Sequence, residues 1–168
     1  MIVDFSSLSV DKALSMALKS EQEAGALYQK LHGLVNNFVM KDKLLFLIGE
    51  EEKHQKMIQS LYGKMFPSQT SAHVEKSLIP RVTISLEDET SVPDLLELAM
   101  EAEKTFEEFY DRMSEEVEER GAVEILQYLS SMELGHYALI KGEYDLCMRD
   151  ETYYTRGDFQ YDMVRIGP

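Results

Sequence analysis

Only one cysteine, Cys147, occurs in the 168 residues. A single thiol makes no disulfide within the chain and no cysteine-built zinc or iron–sulfur site, and it fits a reducing cytoplasm. Basic residues are scarce as well: 17 Lys+Arg stand against 31 Asp+Glu, a net charge of −14. Such a chain has nothing to neutralise a row of phosphates or to dock on an anionic lipid surface, so neither nucleic acid nor membrane is an expected partner. No apolar run approaches the roughly 20 residues of a membrane span. The start, Met1-Ile2-Val3-Asp4-Phe5, lacks the basic opening and apolar run of a signal peptide. A cytoplasmic protein is the expectation, long enough for one domain with a substantial core.

What is present is helix-period patterning in four segments. They run from about Ser9 to Asn37, Lys41 to Phe66, Ser91 to Gly121, and on to about Met148. Each carries apolar residues at alternating steps of three and four, the spacing of bundle packing. The seams are Leu14, Ala17, Glu21, Ala24, Tyr28, Leu31, Val35; Leu44, Leu47, Glu51, His54, Ile58, Leu61, Met65; Leu96, Ala99, Glu103, Phe106, Tyr110, Met113, Val117; and Leu126, Leu129, Glu133, His136, Ile140, Glu143, Cys147. Short turns join the first two segments and the last two, so each pair is an antiparallel hairpin. A long stretch, about 67–90, separates the hairpins and includes the extended-looking Arg81–Leu86. The fold class that follows is all-α: a ferritin-like four-helix bundle over 1–148, made of two repeated hairpins with a long crossover between helices two and three. Residues 149–168 form an aromatic tail, rich in tyrosine from Tyr153 to Tyr161, expected to pack on the bundle or on a second subunit.

The halves repeat. Glu21 to Glu51 and Glu103 to Glu133 are both 30 residues, Tyr28 and Tyr110 each follow their glutamate by seven, and a shift of 82 residues superimposes the set. Each apolar seam is interrupted near its middle by a glutamate or by Glu-x-x-His. A carboxylate in an apolar seam costs several kcal/mol unless paired or neutralised, and four at one level repel. Two divalent cations would balance four carboxylates, and oxygen with imidazole nitrogen suits iron or manganese. The metal ligands predicted are therefore Glu21, Glu51, His54, Glu103, Glu133 and His136, one Glu from each of two helices and one Glu-x-x-His from each of the others. A buried Glu–His network without metal is the bland alternative. Tyr28 and Tyr110 are expected to hydrogen-bond ligand carboxylates across the bundle, and no catalytic residue beyond the ligands is evident. Glu23, Glu52, Glu101 and Glu108 fall on outer faces and are expected in solvent. Glu143 occupies a seam position and is expected near a wetter bundle end. His32 and His73 read as structural or exposed.

The stretches Glu21–Tyr28 (EQEAGALY), Glu51–His54 (EEKH), Glu103–Tyr110 (EKTFEEFY) and Glu133–His136 (ELGH) resemble the rubrerythrin branch of the ferritin-like superfamily. The resemblance implies two iron ions, with manganese as the alternative, and reduction of hydrogen peroxide or dioxygen with electrons from a separate redox protein. Two departures are visible. Rubrerythrins proper carry a rubredoxin-like domain with paired Cys-x-x-Cys motifs, which one cysteine cannot supply. They also carry a further glutamate near the third-helix ligand, and here the positions three residues either side of Glu103 are Met100 and Phe106, with Glu107 slightly off the seam. The second function class is non-catalytic iron binding or ferritin-like storage. A closed storage cage has no signature here, and a homodimer or other small homo-oligomer is the expected assembly.

Overall fold

The computed structural model describes residues 9–68 and 91–156. Four helices account for most of them: α1 (Val10–Leu34), α2 (Phe38–Met65), α3 (Val92–Glu116) and α4 (Arg120–Arg149). The extended stretch Arg81–Leu86, His73 and the tail beyond Arg156 lie outside the described residues. No described helix is long and apolar enough to cross a membrane.

The helix starts follow capping chemistry. Ser91 Oγ accepts from the Asp94 backbone N–H, Pro93 fits the first turn, and Asp94 suits the positive end of α3. Asn37 caps α2 by accepting from Met40 N. Three boundaries differ from the sequence reading, among them the start of α2, at Phe38 rather than about Lys41. The first helix stops at Leu34 rather than near Asn37, because Asn37 is spent as the cap of α2. The N–H groups of Asn36 and Asn37 are also spent, donating to the carbonyl of Tyr154 at 2.7 and 3.3 Å. The third helix stops at Glu116 rather than near Gly121, because the Glu119 carboxylate accepts from Gly121 N and Ala122 N and so opens α4 there. Gly121 belongs to the first turn of α4, and a Cβ on it would stand 3.2 Å from Glu119 Oε1.

Packing is closest within each hairpin, α1 on α2 and α3 on α4. Hydrogen bonds fix how the hairpins meet. Tyr28 reaches Glu103 while Tyr110 reaches Glu21, so α1 and α3 are antiparallel. Lys43, early in α2, meets Glu143, late in α4, so that pair is antiparallel too. Consequently α2 and α3 point the same way, and the end of one and the start of the other lie at opposite ends of the bundle. Every seam residue named above is buried except Met65, which is half-buried. A second buried row accompanies the seam on α1 and α3: Ala13, Ser20 and Leu27, and Leu95, Ala102 and Phe109.

Glu143 overturns its expectation. It is 2% exposed, ion-paired with Lys43, and accepts from the Tyr153 hydroxyl at 2.9 Å. With Asn37 Nδ2 donating to Tyr153 O and the Asn36 and Asn37 N–H groups on Tyr154 O, the turn after α4 latches the α1–α2 connection to α4. Beside it, Cys147 is buried, and burial followed by the Glu143 charge pushes its thiol up to about 11, which leaves it unreactive. Replacing Lys43 with Met is expected to cost about 2 kcal/mol, because it strands the Glu143 charge, though Lys43 itself is partly exposed. Tyr153→Phe, which removes one hydrogen bond, should cost about 1 kcal/mol. Urea melts of the two variants check both values and their order.

Candidate metal centre

Glu21, Glu51, His54, Glu103, Glu133 and His136 converge at the middle of the bundle, each at most 2% exposed. One ligand atom each from Glu51, His54, Glu133 and His136 lie within 4.8 Å of one another. Glu21 and Glu103 flank this group. His54 Nδ1 is 2.8 Å from Glu133 Oε1 and 3.5 Å from both Glu21 Oε2 and Glu51 Oε2. His136 Nδ1 is 3.1 Å from Glu133 Oε2, 3.3 Å from Glu51 Oε1 and 3.6 Å from Glu103 Oε2. Glu51 and Glu133 thus reach both imidazoles, whereas Glu21 attends only His54 and Glu103 only His136. The imidazole planes stack, with centroids 5.2 Å apart and 17° between planes.

Helix geometry produces this arrangement. In each Glu-x-x-His the three-residue step keeps both side chains on one face, and α2 and α4 present those faces to the core. The terminal carboxylates on α1 and α3 are each held by a hydroxyl from the other helix. Tyr28 donates to Glu103 Oε1 and Tyr110 to Glu21 Oε1, and both tyrosines are fully buried. Gln55 Nε2 also donates to the Glu21 backbone carbonyl at 3.4 Å, tying α2 to α1 beside the site.

The site is short of positive charge and of donors. Glu21 Oε2, both oxygens of Glu51, Glu103 Oε2, Glu133 Oε1, both nitrogens of His54 and His136 Nε2 are buried without a hydrogen-bond partner. His54 Nδ1 illustrates the point. It lies close to three carboxylate oxygens, yet it has no hydrogen-bond partner among them. Orphaned buried polar groups are rare and cost about 1–3 kcal/mol each. A donor set of four carboxylates and two imidazoles around shared space is what two divalent cations require, so the residues fit a metal pair.

Without cations, protons must do the neutralising. Burial, then the neighbouring carboxylates, raise Glu21 and Glu103 well above the ordinary range. Burial also pushes Glu51 and Glu133 up, but the close approach of neighbouring polar groups outweighs it. Glu21 and the two imidazoles beside it bring Glu51 to about 2, and the imidazoles with Glu103 hold Glu133 low. Burial disfavours the charged imidazoles, yet the carboxylates around them win, raising His54 far above its usual value and His136 to about 12. Tyr28 and Tyr110 are raised by burial and by adjacent carboxylates, so their hydroxyls stay protonated donors.

Of the outer-face glutamates, Glu52, Glu101 and Glu108 are exposed. Glu23 is not: its side chain is 13% exposed, 3.9 Å from Lys19, because α1 buries a broader face than a single seam. Glu50 escaped the sequence reading. It is 7% exposed and ion-paired with Lys53 one turn on, and its i, i+3 lysine was the available signal.

Two antiparallel hairpins around a carboxylate–histidine cluster define a ferritin-like protein with a candidate di-metal centre. The rubrerythrin family model matches residues 12–144, most of the chain, and the chain belongs to that family. A solved structure of a hypothetical protein from Pyrococcus furiosus is similar, with a TM-score of 0.77 and 30% sequence identity, over 88% of this chain and 96% of that one. Among curated proteins the chain has no match.

Proposed function

We propose that the chain is a di-iron oxidoreductase that reduces hydrogen peroxide to water, taking electrons from a separate redox protein. The observation that carries this reading is the charge-matched, fully buried set of four carboxylates and two imidazoles with its polar atoms left unsatisfied. Glu51 and Glu133 would be shared between the two metals, with Glu21 and His54 completing one position and Glu103 and His136 the other. A metal pair held there would supply the two electrons that, with two protons, turn hydrogen peroxide into two waters. The residues' own part is to exclude bulk water, to hold the ligands in one arrangement, and to keep the terminal carboxylates from rotating, which is the work of Tyr28 and Tyr110. The buried tyrosine hydroxyls are the protons nearest the terminal ligands. Electrons for re-reduction would come from a separate redox protein, since a single cysteine cannot build a rubredoxin-type or iron–sulfur centre beside the metal pair.

A second reading, a site that only holds or hands on iron, draws on one feature: beyond the ligands and the two tyrosines, no acid–base side chain stands in the described cluster. Stopped-flow mixing separates the two. The reduced, iron-loaded protein is expected to be oxidised by hydrogen peroxide faster than by dioxygen, and to keep its irons when excess ferrous iron follows. Uptake of many irons per chain into a soluble mineral would overturn the enzyme reading in favour of storage.

A further inference from the structure

The 82-residue repeat holds at every candidate ligand and at both tyrosines, and it breaks between them. On α1, Glu21 and Tyr28 bracket Ala24; on α3, Glu103 and Tyr110 bracket Phe106, the equivalent position. Because Tyr28 bonds Glu103 while Tyr110 bonds Glu21, Ala24 and Phe106 fall inside the frame that these two hydrogen bonds draw across the α1–α3 contact. Both are buried, at 1% and 2% exposure. The imidazoles come from α2 and α4, the other side of the cluster. Between the terminal carboxylates the α1–α3 face therefore offers a methyl group and a phenyl ring. The nearby Glu107 is turned outward, its side chain 25% exposed and 3.7 Å from Lys104. The tyrosine hydroxyls bordering the face are already committed as donors to Glu103 and Glu21.

We propose that Phe106, with Ala24 opposite, is the specificity-determining wall of the metal pair. It admits small neutral oxidants such as hydrogen peroxide or dioxygen to the α1–α3 face and turns anions away. An anion entering there sheds its water, finds no spare hydrogen-bond donor and passes two carboxylates. A neutral molecule of two heavy atoms loses far less. The two hydrogen bonds set Phe106 on α3 across from Ala24 on α1, a large side chain against a small one. Phe106 acts here through shape and polarity, as a wall beside the reacting atoms.

The inference rests on the proposed metal pair, and its test keeps the two apart. Full-length wild type, Phe106→Ala and Phe106→Leu are loaded with iron and oxidised. Iron content and Tm are measured on each sample, and each is titrated with sodium azide by its visible absorption. Azide, a small anion, should bind Phe106→Ala at least about tenfold more tightly than wild type, with Phe106→Leu between them. The rate of oxidation of each reduced protein by neutral hydrogen peroxide should gain far less than the azide affinity does, since the ring opposes the anion more than the neutral molecule. If Phe106→Ala does not fold, Phe106→Leu decides by the same comparison. Unchanged azide affinity at unchanged iron content overturns the assignment of Phe106 alone. Equal gains for azide and peroxide also overturn it, because they mark a loosened core rather than lost selection. Wild type that holds no iron overturns the metal reading instead.

Discussion

Glu51→Ala and Glu133→Ala are each expected to abolish binding of both metals, with affinity falling by more than about 100-fold, whereas Glu52→Ala leaves binding intact. The neighbours differ only in helical phase. Glu51 is fully buried and lies within 3.5 Å of both His54 and His136, while Glu52 is exposed. Glu133 likewise approaches both imidazoles, at 2.8 and 3.1 Å. Losing either removes a ligand from each metal position and leaves three carboxylates against two divalent cations. Glu21 and Glu103 each attend one imidazole only. Glu21→Ala and Glu103→Ala should therefore weaken one position and spare the other, leaving about one metal per chain. Metal content after gel filtration, measured by elemental analysis, checks all five substitutions. Equal loss in Glu52→Ala and Glu51→Ala would mean that the helix faces are assigned wrongly.

Removing the metals is expected to lower Tm by about 10 °C under metal-replete comparison, and by more at pH 8 than at pH 5.5. Ligand present at about 1,000 times its Kd stabilises by about 4 kcal/mol, and each kcal/mol moves Tm by about 2–4 °C in a chain of this size. The pH dependence comes from the protons that replace the cations. Glu21, Glu103, His54 and His136 all have raised values in the metal-free fold. Their contribution is complete below their ordinary values of 4.5 and 6.5 and declines as pH rises past them. Glu51 and Glu133 are lowered, so their contribution is complete above 4.5 and declines as pH falls toward about 2. The metal-free protein should then be most stable near about pH 5 and weaken toward pH 8. Metal competes with those same protons, so the loaded protein gains affinity over that interval. Melting curves with and without chelator at the two pH values test this; a gap that narrows as pH rises contradicts it.

Much of the centre was legible in the sequence because its parts are periodic. A glutamate interrupting an apolar three-four seam, repeated after 82 residues, fixes both the face and the level at which the side chains meet. The tyrosines seven residues on fall on the same face, which is why Tyr28 and Tyr110 could be picked out. What escaped notice depends on contacts remote in sequence or on faces wider than one seam. Glu143 read as a misplaced charge because its partners are Lys43, a hundred residues earlier, and Tyr153 in the turn after α4. The row Ala13, Ser20 and Leu27 went unread, though it obeys the same 82-residue shift onto Leu95, Ala102 and Phe109. That wider face also explains why Glu23 is largely buried. The break at Glu116 was missed because a glutamate is an unusual N-cap, and Gly121 looked like the terminator.

On the reading proposed above, the six buried ligands hold two metals between the two hairpins. Elemental analysis of protein purified without chelator and reloaded with ferrous iron, combined with anomalous scattering from its crystals, tests it most directly. Two transition-metal ions per chain are expected, about 3.5–4 Å apart, with Glu51 and Glu133 touching both. At most one equivalent under metal-replete conditions, or an ion bound away from the seam, would contradict it.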